Sequence, residues 1–311
     1  ALMCVTQLAM FIYAKRAMQR ARLPSVLCLV QFGTSALGAC VPSPLTGAGW
    51  RGLVVMGREH SSILVPLGVF WSVAFLALNA SVALMSASLA STVRALEPVS
   101  TVILGFLAFG ERYSPRLLAT LLPICAGVAL ASQKGGGSGG TASAASAAGV
   151  LLAGASNFGF SSRPFLAQRL AALPDSARKL DSASAFFNAM CIGIAVMLPA
   201  VAALELAELR EAVGRLAAEG TLGDFAAEVG ISGGGFFFYQ FSQMVLMSKL
   251  SAIACSVVNP MSKAFVIVSC AIYFAEPMGA LNIGGILLSA CGVVLFTLAR
   301  RADAAASAAS A

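Results

Sequence analysis

Apolar residues dominate the chain in long runs that short polar segments separate. The runs are about 20 residues long, which is the length of helix that crosses the hydrocarbon core of a bilayer. The pattern therefore predicts about ten membrane-spanning helices. Their approximate bounds are residues 1–14, 24–42, 62–83, 87–109, 114–132, 147–166, 184–204, 230–247, 252–274 and 279–299.

The composition supports an all-α integral membrane protein in contact with the lipid bilayer. Of the 311 residues, 59% are hydrophobic and 11% are charged. The net charge of +7 favours contact with anionic lipid or an anionic substrate. No basic cluster with interleaved aromatic residues occurs, which argues against nucleic acid. The only histidine, His60, is expected in a solvated loop, so we predict no catalytic triad, no cofactor, no metal and no enzyme.

A glycine-rich segment at residues 134–146 is typical of a flexible linker. It separates a half at residues 1–133 from a half at residues 147–300, each with five predicted spans, and residues 301–311 are expected to form a disordered tail. The first run is short and opens on Ala1, so the chain is expected to begin within its first helix.

The two halves resemble each other. A shift of 165 residues aligns FGE with FAE and AGVAL with CGVVL, and it gives nine identities over 44 positions. Because five is an odd number, two consecutive five-helix units enter the membrane from opposite sides. The pattern predicts an inverted repeat of two five-helix halves, with a binding site between them.

Two cations lie in apolar runs. Lys263 has about seven apolar-run residues before it and eleven after, so its charge is costly unless it meets a partner, water or a ligand; a snorkelling lysine is the alternative. The 165-residue shift places Arg94 on Asn259 and Lys263 on Pro98. The two cations are thus expected to approach one cavity and to bind an anion. Alternatively, Arg94 pairs with Glu97 three residues on.

Residues 205–228 alternate Leu and Ala with Glu and Arg at helical spacing. This spacing predicts an amphipathic helix at the membrane interface.

Three separated motifs resemble those of the triose-phosphate transporter family within the drug/metabolite transporter superfamily. They are STVRALEPVS with the later FGE and AGVALAS, then NFGFSSRPFL, then VVNPMSKAFVI. The resemblance implies a ten-helix inverted repeat that exchanges phosphorylated sugars or carboxylates for inorganic phosphate across the inner plastid envelope. Relatives carry nucleotide sugars into the Golgi or endoplasmic reticulum.

The resemblance also implies a substrate site. The basic position of helix four falls on Arg94, the arginine of helix six on Arg163, and a substrate-facing tyrosine of helix eight on Tyr239. The Lys-Arg pair of helix nine falls on Ser262 and Lys263. From the residues alone, Arg163 is equally well explained as an interfacial anchor.

The chain departs from the family at positions that bear on the substrate. Ser262 supplies no charge, and the threonine and histidine of helix three fall on Leu78 and Phe75. Asn79 and Asn259 complete the candidate substrate-binding set. These departures disfavour triose phosphate itself and favour a larger or less polar anion.

Our leading hypothesis is therefore an exchanger of an organic phosphate for inorganic phosphate that works by alternating access. With the site empty, facing cations would oppose closure and make exchange obligatory. The alternatives are a nucleotide-sugar or nucleoside-monophosphate antiporter in the Golgi or endoplasmic reticulum, and a helical membrane subunit without transport.

Overall fold

The computed structural model describes residues 2–40, 58–110, 112–131, 144–171, 182–249, 252–275 and 279–310. Within these ranges all regular structure is helical. A helix satisfies its backbone hydrogen bonds internally, which is the requirement for crossing lipid. The predicted linker at residues 134–146 lies largely outside the described residues.

Thirteen α-helices are present in the described ranges. They are α1 (Leu2–Arg20), α2 (Pro24–Cys40), α3 (Arg58–Leu84), α4 (Ala87–Val93), α5 (Glu97–Phe109), α6 (Pro115–Ala119), α7 (Leu121–Ala131), α8 (Ala144–Ala171), α9 (Ser182–Ala200), α10 (Leu206–Ala218), α11 (Leu222–Lys249), α12 (Ala252–Tyr273) and α13 (Ala280–Ser310). A 3-10 turn at Arg94–Leu96 joins α4 to α5, and a π-helical turn at Val201–Glu205 joins α9 to α10.

Local sequence explains several helix ends. Proline opens α2 at Pro24 and α6 at Pro115, where the missing N–H has no helical partner to lose. Ser114 caps α6 because its hydroxyl accepts a hydrogen bond from the backbone N–H of Leu117. Gly110 ends α5 with a φ of 66°, a left-handed conformation that glycine adopts without steric cost.

Each predicted span overlaps a helix of the structure. In the described part of the chain, three helical stretches are long and apolar enough to cross a membrane on their own: His60–Leu84, Ala183–Ala218 and Ala280–Asp303. Pro24–Cys40 and Pro115–Leu130 are shorter apolar helices. The all-helical membrane class predicted from the sequence is thus supported.

Three expectations differ from the structure. His60 lies in the first turn of α3 and is buried, because α3 begins at Arg58, four residues before the predicted span. Residues 205–228 hold not one helix but α10 and the beginning of α11, separated by a turn at Gly220 with a φ of 70°. The segment expected to be a disordered tail continues α13 as far as Ser310.

The chain folds into two compact units, each built from two separate segments. Unit one comprises Ala1–Ala83 and Ser162–Met244, and unit two comprises Leu84–Ser161 and Val245–Ala311. Each unit therefore contains residues from both halves of the sequence, and the first segment of unit two extends past the predicted linker into the second half.

Unit one has an aromatic core. In it, α2 packs against α9. The ring centroids of Phe75 and Phe236 are 4.7 Å apart in an edge-to-face arrangement, and Phe32 contacts both rings. Edge-to-face packing suits the charge distribution of aromatic rings and stabilises the core beyond the area that it buries.

The amphipathic helix α10 also belongs to unit one. It buries Ala212 and Leu216 against α1 and α11, while its charged side faces outward. Just before it, the buried carboxylate of Glu205 accepts hydrogen bonds from the backbone N–H groups of Ser25 at 2.8 Å and Val26 at 3.0 Å. These are unsatisfied donors at the start of α2, so Glu205 caps that helix from a distant point in the sequence.

Unit two is organised around the packing of α7 on α13 and of α12 on α4. A Cβ atom on Gly127 of α7 would lie 2.3 Å from the backbone nitrogen of Ser289, and one on Gly292 of α13 would lie 2.8 Å from that of Ile124. Only glycine allows backbones this close, as at other small-residue contacts between membrane helices. The 165-residue shift carries Gly127 onto Gly292 and Ile124 onto Ser289, so the two contacts interchange as a local twofold axis requires.

The same shift relates whole helices. Adding 165 to the first residues of α3, α4 and α6 gives 223, 252 and 280, and the structure begins α11, α12 and α13 at residues 222, 252 and 280. It also carries Gly110 onto Ala275, and both have positive φ, at 66° and 48°. Ala275 is the only described non-glycine residue with positive φ, so the equivalent turn is kept without glycine.

Candidate functional site

Arg94 lies in the 3-10 turn between α4 and α5. It is 6% exposed, and its guanidinium carbon lies 4.5 Å from the centroid of the Phe160 ring on α8. Next to it, the amide of Asn157 donates a 2.9 Å hydrogen bond to the carbonyl of Val93 and ties α8 to the turn. The Nε of Arg94 is buried without a hydrogen-bond partner in the described part of the chain. A buried donor of this kind is suited to an oxygen ligand or water.

The start of α5 is held rigidly. The hydroxyls of Thr101 and Ser161 lie 2.9 and 3.1 Å from the backbone carbonyl oxygen of Glu97 and 3.0 Å from each other. Each hydroxyl has one proton to donate, so the carbonyl accepts from Ser161 while Thr101 donates either to the carbonyl or to the Ser161 hydroxyl. Pro98 stands in the first turn of α5, where it costs no helical hydrogen bond. The backbone of Glu97 is thus anchored, and only its side chain is left to adjust.

The carboxylate of Glu97 binds Lys263. The Nζ of Lys263 on α12 donates to Oε2 of Glu97 across 2.7 Å. The Lys263 side chain is 21% exposed and that of Glu97 is 26% exposed, so the ion pair is not sealed from its surroundings. Ser262, beside Lys263, is buried.

Arg94, Glu97 and Lys263 together carry a formal charge of +1. The structure thus places both predicted cations in one unit, Arg94 directly after α4 and Lys263 on α12, which packs on α4, and a carboxylate binds one of them. Asn259 lies on the same helix as Lys263, at a position whose side chain is outside the described residues.

Arg163 belongs to unit one. Its guanidinium carbon lies 5.4 Å from the centroid of the Trp71 ring on α3. Trp71 is buried, and its indole N–H has no hydrogen-bond partner among the described residues. Both groups are donors only, so an added partner here would have to be an acceptor such as a carboxylate or carbonyl oxygen.

Phe75, Leu78 and Tyr239 are also in unit one, and all three are buried. Phe75 packs its ring against Phe236 and stands 6.4 Å from Trp71, measured between ring centroids. Phe75 and Leu78, which stand where the family has a histidine and a threonine, are thus part of an apolar core.

Asn79 takes part in a buried hydrogen-bond network of unit one. Its amide nitrogen donates to Oε1 of Gln31 and to Sγ of Cys28, each at 3.0 Å. Gln31 in turn donates to the hydroxyl of Ser232 at 3.1 Å, and Ser232 donates to the carbonyl of Met10. The network joins α1, α2, α3 and α11, which is the usual role of polar side chains between membrane helices.

Sequence reasoning considered Glu97 only as a partner of Arg94, since the two lie three residues apart. The structure instead pairs Glu97 with Lys263, a residue distant in sequence, and sets Arg94 against an aromatic ring. Phe160, Asn157 and Trp71 were missed. Phe160 and Asn157 belong to the same sequence motif as Arg163, which could have pointed to them. The sequence does not indicate which residues they contact.

Comparison with known proteins agrees with these motifs. The model of the Triose-phosphate Transporter family matches residues 2–297. A triose phosphate/phosphate translocator of non-green plastids from Brassica oleracea var. botrytis is 26% identical over 290 residues, which is 93% of this chain and 69% of that protein. Phosphoenolpyruvate/phosphate translocator 1 from Arabidopsis thaliana is 26% identical over 286 residues, covering 92% of this chain and 67% of that protein.

A solved crystal structure shares the fold. It superposes with a TM-score of 0.57 at 16% sequence identity and covers 96% of this chain and 97% of its own.

Proposed function

Because the chain belongs to the Triose-phosphate Transporter family, we propose that it is a secondary carrier that exchanges an organic phosphate for inorganic phosphate. The family consists of transporters, so the chain is a transporter rather than an enzyme. The curated relatives are named as chloroplastic translocators of phosphate. Their names favour this exchange over nucleotide-sugar transport and a plastid over the Golgi or endoplasmic reticulum. Within the plastid, we propose the inner envelope.

The observation that carries the proposed site is the presence of two cations in unit two: Arg94 directly after α4, and Lys263 on α12, which packs on α4. Arg94 offers a planar group that can bind two oxygens, and one of its buried donors has no partner in the described part of the chain. Lys263 offers a compact point charge and is accessible in part. With a net charge of +1, the group favours an anion, and phosphate oxygens are strong acceptors for both side chains.

Alternating access is the mechanism we propose. It rests on a ten-helix inverted repeat whose halves are residues 1–133 and 147–300, joined by a linker at 134–146. The interchanging glycine contacts of α7 and α13 and the recurrence of helix starts at a shift of 165 residues support the repeat. Repeats of this kind move against each other about a central site.

For the substrate, we propose a phosphorylated carboxylate or another organic phosphate in preference to triose phosphate. Phe75 and Leu78 are buried and apolar, so they give a sugar hydroxyl no hydrogen bond. Within unit one, Arg163 and Trp71 supply hydrogen-bond donors and no acceptor, which suits an anionic group. We further propose that Asn79 and Tyr239 of unit one, and Ser262 and Asn259 of unit two, take part in substrate binding.

The experiment is counterflow in liposomes. Purified protein is reconstituted into vesicles loaded with phosphate, and uptake of labelled phosphate or of phosphoenolpyruvate is measured. Arg94→Gln and Lys263→Gln are each expected to lower kcat/KM roughly 10- to 150-fold, the equivalent of one lost charged hydrogen bond of about 1.5–3 kcal/mol. The exposed Arg116→Gln on α6 is the matched control and is expected to retain activity.

Thermal unfolding in detergent accompanies each variant, because Arg94 also contributes to packing. Equal transport by all three folded variants and the unaltered protein would exclude the proposed site. Exchange of a nucleoside monophosphate in place of phosphate would instead support the nucleotide-sugar alternative.

A further inference from the structure

Lys263 is the only cationic residue in α12, and a carboxylate of the same protein occupies it. We propose that Glu97 is an internal anion that binds Lys263 while the site is unloaded, is displaced by the substrate, and allows the empty carrier to cross. This inference rests on the proposed exchange function. It adds a prediction that phosphate moves partly by net transport as well as by exchange.

The geometry at Glu97 fits a side chain that can exchange partners. Its backbone carbonyl is held by Thr101 and Ser161, so displacement of the carboxylate leaves α5 in place. Glu97 stands in the first turn of α5, directly after the 3-10 turn, and its backbone N–H donates to the carbonyl of Arg94, which also holds the backbone in place. A quarter of its side chain is exposed, which leaves room for an incoming oxygen.

Charge provides the functional consequence. With Glu97 ionised, the group of Arg94, Glu97 and Lys263 carries +1; without Glu97 it carries +2. Closing protein around two uncompensated cations at low dielectric is costly, because like charges repel strongly there. The carboxylate removes one of these charges in the empty state. The repulsion expected to make exchange obligatory is therefore weakened in this chain.

Competition is the second consequence. The substrate has to separate Lys263 from Glu97 before it can bind, so the carboxylate lowers the affinity for phosphate. Removing the carboxylate is expected to raise that affinity and to suppress movement of the empty carrier. If the salt bridge had only a structural role, removing the carboxylate would neither raise the affinity for phosphate nor suppress movement of the empty carrier.

The test compares uptake of labelled phosphate into vesicles with and without internal phosphate, with the membrane potential clamped by potassium and valinomycin. The unaltered protein is expected to show measurable uptake into phosphate-free vesicles. Glu97→Gln is expected to lower the ratio of net uptake to exchange at least tenfold and to lower the KM for phosphate. The exposed Glu211→Gln on α10 is the control and should behave like the unaltered protein.

A double variant separates charge from structure. Glu97→Gln combined with Lys263→Gln returns the group to +1, so the ratio of net uptake to exchange is expected to rise again. The inference would be overturned if Glu97→Gln left the ratio of net uptake to exchange unchanged. It would also be overturned if the double variant had a ratio as low as that of Glu97→Gln.

If Glu97→Gln does not fold, uptake by the unaltered protein still tests the proposal. Exchange without any uptake into phosphate-free vesicles overturns it. Absence of phosphate exchange in loaded vesicles would instead refute the proposed function itself, so the two failures are distinguishable.

Discussion

Replacing Gly127 by alanine tests the close contact between α7 and α13. The added Cβ would lie 2.3 Å from the nitrogen of Ser289 and 2.6 Å from the carbonyl oxygen of Gly285. Both are backbone atoms, so no rotamer change relieves the overlap. The two helices have to separate by about 1 Å to reach ordinary contact distances, and contacts along the whole crossing weaken with that separation.

The expected cost follows from that displacement. Overpacking of a tightly packed site costs about 1–3 kcal/mol. Alanine also favours a helix over glycine by about 1 kcal/mol, which offsets part of this cost. Gly284→Ala on α13 isolates the steric part, because nothing lies within 4 Å of its added Cβ and it makes the same change of residue. We expect Gly127→Ala to be less stable than Gly284→Ala by about 1–3 kcal/mol.

The assay is unfolding of the purified variants in mixed micelles, with helicity followed against increasing denaturing detergent. Gly292→Ala, the position equivalent to Gly127, is expected to destabilise in the same direction, since its Cβ would lie 2.8 Å from the nitrogen of Ile124. Equal midpoints for Gly127→Ala and Gly284→Ala would refute the close approach of the two backbones and, with it, the local twofold contact.

Two further predictions concern single contacts. Glu205→Gln is expected to destabilise by about 1–3 kcal/mol, because its NH₂ would face a backbone N–H at the start of α2; the exposed Glu208→Gln should change unfolding by less than about 0.5 kcal/mol. Phe160→Leu removes the ring under Arg94, a contact of about 0.5–2 kcal/mol, so the KM for phosphate in counterflow should rise roughly 2- to 30-fold. The exposed Phe158→Leu is its control, and a KM equal in both variants would show that the ring does not position Arg94.

Much of the fold was predictable because it depends on local and periodic signals. Runs of about 20 apolar residues predicted helices, and each predicted span overlaps one. The 165-residue repeat was visible in the sequence and anticipated the starts of α12 and α13. Two local details were wrong. The polar neighbours of His60 predict a loop, but His60 lies in α3 and is buried. The spacing of residues 205–228 predicts one helix, but a turn at Gly220 divides the segment into α10 and the start of α11.

The candidate site divides in the same way. The sequence by itself determined which ionisable residues stand in apolar runs, because a charge there is costly enough to be conspicuous, and it identified Arg94 and Lys263 on that ground. Only the tertiary structure decided their partners. An ion pair depends on distances of a few ångströms between separate helices, so Glu97 faces Lys263 across 166 residues of chain while Arg94, three residues away, lies on Phe160.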